Sequence, residues 1–246
     1  MIEKHLDIPT PDGAMNSFVV YPEEGGDWPV VLFYMDAPGK REELHDMARR
    51  IAAVGYYVIL PNLYYRKRRE FTLTVRDEAH MAEMFELMKH LTNGLVVSDT
   101  EAMLKFADAQ PEADASRVGA VGYCMSGPFV MAAAAAFPER IKGIAAIHGA
   151  NLVTDREDSA HLMAPRIRCE SYFACAEIDK WAAPEIIATL QKSLQDGGTP
   201  YRIEWYAGAE HGFVFPKRAG IYNQVAAERH WERLFALFRR TLQTES

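Results

Sequence analysis

The sequence has few cysteines and no excess of basic residues. Three cysteines stand among 246 residues, and no two of them have the C-x-x-C spacing of a redox or zinc motif. Lys and Arg number 27 against 34 Asp and Glu, which gives a formal net charge of −7. Because phosphate recognition needs a clustered basic excess, this balance argues against a nucleic-acid partner. The cysteine pattern fits a reducing compartment and predicts neither a disulfide framework nor a metal site.

Long apolar runs are also missing from the sequence. No apolar stretch approaches the length needed to cross a bilayer, so we expect no membrane association. Residues 1–7 have neither the apolar core nor the cleavage site of a secretory signal, and we expect a cytoplasmic protein. The chain lacks internal repeats, low-complexity segments and inter-domain linkers. Its length therefore predicts a single α/β domain over residues 1–246, as a monomer or small homo-oligomer.

Apolar runs alternate with amphipathic segments along the chain. Lys4 to Ile8 and Met15 to Tyr21 flank Pro11-Asp12-Gly13, a strong turn signal, and predict an N-terminal antiparallel hairpin. Further predicted strands cover residues 29–35, 56–60, 118–121, 143–147, 171–176 and 201–206; predicted helices cover 41–54, 78–91, 96–109, 129–137, 184–194 and 224–242. This alternation implies a mainly parallel sheet with helices on both faces and functional groups at the carboxyl ends of the strands. On the last helix, His230 is predicted at the boundary or surface.

A cysteine lies between the strand and the helix in Gly122-Tyr123-Cys124-Met125-Ser126-Gly127. This is the pattern of a nucleophile elbow, a turn so tight that the residues two before and two after the nucleophile must be small. Gly122 and Ser126 satisfy that requirement. The following helix directs the positive end of its dipole toward Cys124, which favours thiolate over thiol. We predict that Cys124 is a reactive nucleophile.

Two alternatives to this interpretation exist. A free cysteine commonly behaves as a small buried hydrophobe, and this is the role predicted for Cys169 and Cys175, which lack a glycine-framed turn. Ser126 is a rival nucleophile in principle, but an elbow centred on it would need a small residue where Pro128 stands.

A cysteine nucleophile needs a histidine base and a third group that orients the base. Asp179 and His211 each follow a predicted strand, and the order Cys124, Asp179, His211 matches the nucleophile, acid, histidine order of α/β-hydrolases. His148 also follows a strand, but no carboxylate on an intervening strand-end loop separates it from Cys124. We assign His148 to the pocket wall.

The same geometry predicts an oxyanion hole. One donor is the backbone N–H of Met125, the residue after the nucleophile, and the other is that of Ala37, after an early strand. Asp36 stands at the tip of that strand. It either faces the elbow as a modulating acid or serves as an ordinary cap or solvated residue.

Together, these features resemble the dienelactone hydrolase family of α/β-hydrolases over nearly the full chain. The resemblance rests on Asp36, the Gly55-Tyr56-Tyr57 strand entry, Pro61-Asn62-Leu63-Tyr64, the cysteine elbow, Asp179 and His211-Gly212-Phe213. It implies an α/β-hydrolase fold and a cofactor-free hydrolase of lactones or related esters. In the family a glutamate holds the position of Asp36, and an arginine that binds the substrate carboxylate holds the position of Phe215.

The sequence therefore favours a lactone or carboxylic-ester hydrolase with a Cys124, His211 and Asp179 triad and a small-molecule substrate. One alternative is a thiol-based redox sensor or binding protein on a hydrolase scaffold. Another is a thioesterase or other acyl hydrolase with the same residues. The basic run at residues 66–69 is either a solvated loop or an anion-binding site. Residues expected to contact substrate are Tyr64, Arg66, Tyr123, His148, Trp181, Phe213 and Phe215.

Overall fold

The structure, a computed structural model, describes residues 1–243 and divides into two compact units, one over residues 1–118 and one from Gly119 on. The elements that begin the chain are β1 (Ile2–Thr10), β2 (Gly13–Tyr21), β3 (Trp28–Tyr34), α1 (Glu42–Ala52), β4 (Tyr57–Pro61), α2 (Glu78–His90) and α3 (Asn93–Asp108). They are followed by β5 (Ala113–Tyr123), α4 (Gly127–Ala136), β6 (Ile141–Ile147), β7 (Glu170–Ile178), α5 (Pro184–Asp196), β8 (Tyr201–Glu210) and α6 (Gln224–Leu242). Every predicted strand and helix is present, so the predicted α/β class is confirmed.

The first unit begins with the predicted antiparallel hairpin. β1 and β2 pair from Ile2 with Tyr21 to Thr10 with Gly13. β2 pairs antiparallel with β4, and β4 pairs parallel with β3. Residues 29–34 of β3 are all buried, which explains why this strand is a continuous apolar run without polar alternation. The carboxyl end of β3 leads into the segment that holds Asp36 and Ala37.

Parallel strands form the second unit. β6 pairs with β7, and β7 pairs with β8, where the two strands last meet at Ile178 and Glu210. α6 packs closely on this unit: a Cβ on Gly119 would stand 2.9 Å from Phe238, and one on Gly143 would stand 2.6 Å from Thr241. Both glycines are therefore needed for the close approach of the helix.

Two details differ from the predictions. The placement of His230 at the boundary or surface is wrong, because its side chain is fully buried. His230 shares one face of α6 with Ala227, Leu234 and Leu237, all of them buried, at the spacing of helical turns. A short 3-10 helix, Ala160–Arg166, lies in a region where no element was predicted.

Within residues 1–243, no helix is both long enough and apolar enough to cross a membrane.

Candidate active site

Cys124 lies in a strained turn between β5 and α4. Its φ is 56°, a left-handed conformation that few residues other than glycine adopt, and a 3-10 turn, Cys124–Ser126, connects it to α4. A Cβ on Gly122 would stand 2.4 Å from the carbonyl oxygen of Ser126, so only glycine fits at that position. The predicted elbow geometry is therefore present. Cys124 is partly exposed, whereas Ser126, the rival nucleophile, is fully buried.

His211 bridges Cys124 and Asp179. Its Nε2 lies 3.1 Å from Sγ of Cys124, and its Nδ1 lies 2.7 Å from Oδ2 of Asp179. Since a carboxylate only accepts, Nδ1 of His211 donates to Asp179, which directs Nε2 at the thiol. The other oxygen of Asp179 accepts from the backbone N–H of Trp181 at 2.9 Å, which fixes the carboxylate. The structure brings together the three side chains that chain order singled out.

The electrostatics of this cluster favour a protonated His211. Burial alone would lower the pKa of His211, but the hydrogen bonds with Asp179 and Cys124 and their negative charges outweigh it and raise the pKa to about 9. An imidazolium at neutral pH can donate a proton from Nε2. Two of the interactions that raise the pKa of His211, a hydrogen bond and an electrostatic attraction, are with Cys124. The basicity of His211 therefore depends on the chemical state of the sulfur.

The other two thiols are buried, as predicted. Cys169 is 7% exposed and Cys175 is 3% exposed. Burial raises the pKa of each thiol to about 12, which keeps both protonated at neutral pH. Both have the structural character that the sequence indicated.

The predicted acid and second oxyanion donor belong to the first unit. Asp36 is fully buried, and Arg41 binds both of its carboxylate oxygens, with Nη2 of Arg41 3.2 Å from Oδ2. The hydroxyl of Tyr64 donates to the carbonyl of Ala37 at 2.9 Å and so orients the peptide group that follows Ala37. Tyr64, predicted as a substrate contact, is 2% exposed and supports this segment instead.

Arg66 is neither solvated nor open to an external anion. Its Nη1 and Nη2 donate to the two oxygens of Asp99 at 2.9 and 2.7 Å, and its Nε donates to Asp12 at 2.7 Å. Only 7% of the Arg66 side chain is exposed. Asp99 is fully buried, so the two residues form a structural ion pair within the first unit.

The aromatic residues predicted as substrate contacts divide into two groups. Tyr123, Phe213 and Phe215 are fully buried and surround His148, whose ring is also fully buried. Trp181 is 42% exposed and follows Asp179 in sequence. Trp181 alone among these four aromatic side chains presents substantial surface to solvent.

Three contacts around the cluster were not predicted. Nη1 of Arg218 donates to the carbonyl of His211 at 3.1 Å. The backbone N–H of Ala150 donates to the carbonyl of Cys124 at 2.9 Å. The hydroxyl of Tyr123 lies 3.1 Å from Nε2 of His230. Of these three contacts, only that of His230 had a signal in the sequence, because helical spacing places His230 on the buried face of α6. The other two contacts depend on how loops fold back.

Among residues 1–243, no group of three or more His, Cys, Asp and Glu side chains is arranged to hold a metal ion.

Several known proteins that are similar to this chain carry the name of one enzyme family. The sequence model of the "Dienelactone hydrolase family" matches residues 15–242. A "Putative carboxymethylenebutenolidase" of Methylorubrum extorquens is 31% identical over 246 residues, which cover 97% of this chain and 81% of that protein. The "Carboxymethylenebutenolidase" of Pseudomonas putida is 22% identical over 236 residues, 95% of each chain.

A solved structure of similar name has the same fold. A crystal structure described as a "Putative Dienelactone Hydrolase" from Klebsiella pneumoniae superposes with a TM-score of 0.88 at 23% identity, covering 97% of this chain and 98% of that chain. The predicted α/β-hydrolase fold is confirmed by this likeness.

Proposed function

Since the chain belongs to the dienelactone hydrolase family, we propose that it hydrolyses lactones or carboxylic esters through a Cys124, His211 and Asp179 triad and an acyl-enzyme. The observation that carries the proposal is the unbroken chain of contacts from Sγ of Cys124 to His211 and on to Asp179, at 3.1 and 2.7 Å. Nucleophile, base and orienting acid are the parts that acyl transfer requires.

The acylation step follows from the protonation state of His211. Sγ of Cys124 attacks the carbonyl carbon and forms a C–S bond, and the bond from that carbon to the ester oxygen breaks. The imidazolium of His211 gives its Nε2 proton to the departing oxygen. Asp179 keeps the ring in the required orientation and stabilises its positive charge. In a lactone the leaving oxygen stays attached to the acyl group.

The deacylation step needs His211 as a base. Once the sulfur is acylated it carries no negative charge, so the two contributions of Cys124 to the raised pKa of His211 disappear. The neutral ring then takes a proton from water, which attacks the thioester carbonyl. The C–S bond breaks, and the sulfur and His211 return to their initial protonation state. The backbone N–H of Met125, the residue after the nucleophile, is the proposed donor to the oxyanion in both steps, and that of Ala37 stays a prediction from the sequence.

The role of Asp36 as a modulating acid stays a prediction from the sequence. Within the first unit, Arg41 binds its carboxylate. The buried positions of Cys169 and Cys175 disfavour the alternative of a thiol sensor, because such a sensor commonly pairs its reactive cysteine with an accessible resolving thiol.

Turnover of p-nitrophenyl acetate and of dihydrocoumarin, an aromatic lactone, tests the proposal. Cys124→Ala should lower kcat by about 10³-fold or more on both. Cys169→Ala, which removes a buried thiol from the same unit, should leave kcat within about threefold. Equal turnover by wild type and Cys124→Ala would refute the assignment of the nucleophile.

A further inference from the structure

Two fully buried polar side chains meet between β5 and α6. The hydroxyl of Tyr123, the last residue of β5, lies 3.1 Å from Nε2 of His230 on α6. Two apolar side chains of similar size would fill this space without the cost of desolvating polar groups. A hydrogen bond, unlike an apolar contact, has a preferred direction. The pair therefore defines how the end of β5 is placed against α6.

A second contact of His230 determines which group donates. Nδ1 of His230 lies 3.0 Å from the carbonyl oxygen of Ala227, one turn earlier on α6. Because a carbonyl oxygen only accepts, Nδ1 carries the hydrogen. In the neutral ring Nε2 then holds the lone pair, and the hydroxyl of Tyr123 donates to it. The neutral Nδ1–H form of His230 satisfies both contacts.

Tyr123 directly precedes the proposed nucleophile in the chain. Cys124 has a φ of 56°, an unfavourable conformation that the surrounding structure must hold in place. On the carboxyl side, the N–H of Ala150 donates to the carbonyl oxygen of Cys124 at 2.9 Å. On the amino side, the ring of Tyr123 packs against the rings of Phe215 and His230, each at a centroid distance of 5.8 Å. The strained residue is thus held on both sides.

α6 also holds the turn that carries His211. The N–H of Phe213 donates to the carbonyl oxygen of Glu210 at 3.0 Å, which closes the turn around His211. The carbonyl oxygen of Phe213 accepts from the N–H of Asn223 at 3.1 Å, and the side chain of Asn223 caps α6 through the N–H of Ala226. The start of α6 is therefore bonded to the turn of His211, and its second turn is bonded to the end of β5.

We propose that His230 is a positioning residue for the reaction of Cys124. By accepting the hydroxyl hydrogen of Tyr123, it fixes the end of β5 relative to α6. Because α6 also holds the turn of His211, this bond sets the separation of 3.1 Å between Nε2 of His211 and Sγ of Cys124. Displacing a reacting group by about 1 Å can lower a rate by about 10²-fold. The inference rests on the proposed function only where turnover is measured.

The first test uses wild-type protein labelled with ¹⁵N-histidine. Ring ¹⁵N shifts distinguish the two neutral tautomers from the imidazolium, and the signals of His230 are those that His230→Gln lacks. Near neutral pH they should report a neutral ring with its hydrogen on Nδ1. A hydrogen on Nε2, or an imidazolium, would overturn the proposal, because Nε2 could then not accept from Tyr123.

The second test compares the rates at which iodoacetamide alkylates Cys124, a reaction that needs no ester substrate. Tyr123→Phe removes only the hydroxyl and should lower the rate constant by about fivefold or more, because the sulfur is displaced from His211. His230→Leu should do the same. The double variant should lose no more than either single variant, since both changes break one bond. Losses that multiply in the double variant would mean that the two residues act independently.

His230→Gln tests whether an acceptor at this position restores the effect. Its amide oxygen can accept from Tyr123 near the place of Nε2, so the alkylation rate should stay within about twofold of wild type. A loss in His230→Gln as large as that in His230→Leu would contradict a role through this hydrogen bond.

Tyr206→Phe is the matched control. The hydroxyl of Tyr206 lies 2.7 Å from that of Tyr172, and both side chains are buried in the same unit, between β7 and β8. The variant also removes a buried tyrosine hydroxyl but should leave the alkylation rate within about twofold, even where it lowers the free energy of unfolding. Equal alkylation by Tyr123→Phe and Tyr206→Phe would mean that the Tyr123 bond only stabilises the fold.

Turnover separates this inference from the proposed function. With p-nitrophenyl acetate, Tyr123→Phe should lower kcat by about tenfold and leave KM within about twofold. If no ester is cleaved but alkylation follows the expected pattern, the proposed function fails and this inference stands. If wild type cleaves esters through Cys124 and Tyr123→Phe matches it in kcat and alkylation, only this inference fails. Where Tyr123→Phe folds poorly, His230→Leu and His230→Gln make the same comparison.

Discussion

Nε2 of His211 lies 3.1 Å from Sγ of Cys124, although 87 residues separate the two in the chain. Two parallel strands make this approach possible. β7 and β8 end side by side at Ile178 and Glu210, so Asp179 and His211, the next residue of each chain segment, leave the sheet together. Asp179 fixes the far side of the ring, and the elbow presents the sulfur to the near side.

The pH dependence of acylation should show an alkaline limb near pH 9. His211 has a pKa raised to about 9, so its ring is protonated below that pH and neutral above it. Acylation needs the proton for the leaving oxygen, and kcat/KM for p-nitrophenyl acetate should therefore fall as pH rises through the midpoint. A limb near the ordinary histidine value of about 6.5 would contradict this assignment.

Asp179→Asn should lower kcat by about 10²- to 10⁴-fold with little change in KM, because an amide can donate to the ring and select the wrong tautomer. The loss of the carboxylate should also move the alkaline limb to lower pH, since its hydrogen bond raises the pKa of His211. Asp158→Asn, an exposed carboxylate paired with Arg156, is the control and should change neither quantity. Equal activity of Asp179→Asn and wild type would exclude the orienting role.

Gly122→Ala should destabilise the protein by about 2 kcal/mol or more and reduce turnover, because its Cβ would stand 2.4 Å from the carbonyl oxygen of Ser126. Gly26→Ala is the control, since a Cβ there meets no atom within 4 Å. Urea denaturation of both variants measures the difference. A Gly122→Ala variant as stable and as active as Gly26→Ala would show that the elbow tolerates a side chain.

Arg41→Met should lower the free energy of unfolding by about 3 kcal/mol, because it leaves the fully buried carboxylate of Asp36 without its guanidinium partner. Arg156→Met, which breaks an ion pair whose arginine is 64% exposed, should cause a much smaller loss, because solvent screens an exposed pair. Chemical denaturation compares the two. Similar losses in both variants would mean that the pair of Arg41 and Asp36 contributes no more than a surface pair.

The sequence predicted the strands and helices better than it predicted contacts between distant residues. Within residues 1–243, local periodicity indicated every strand and α-helix but not the 3-10 helix Ala160–Arg166, and α6 has the predicted bounds, Gln224–Leu242. β7 and β8 extend beyond the predicted ends, to Ile178 and Glu210, because their last residues are largely exposed and lack an apolar pattern. The three side chains that the order of nucleophile, acid and histidine singled out lie in contact, since strand ends in a parallel sheet share an edge.

Long-range pairing explains the predictions that failed. The burial of Arg66 depends on its ion pair with Asp99, 33 residues later in the chain, and no local sequence pattern predicts that pair. The contact of His148 with His211, which the sequence did not predict, also depends on where the loop after β8 folds. The predictions of a single domain, a cytoplasmic location and a monomer or small homo-oligomer stay predictions.

Intact-mass analysis of rapidly quenched p-nitrophenyl acetate reactions tests the central claim most directly. We expect wild-type protein to gain the mass of one acetyl group within the first turnover, and peptide mapping to place it on Cys124. The adduct should disappear as substrate is exhausted, and Cys124→Ala should never acquire it. Sustained hydrolysis without an adduct on Cys124, or an adduct on another residue that is kinetically competent, would contradict the account.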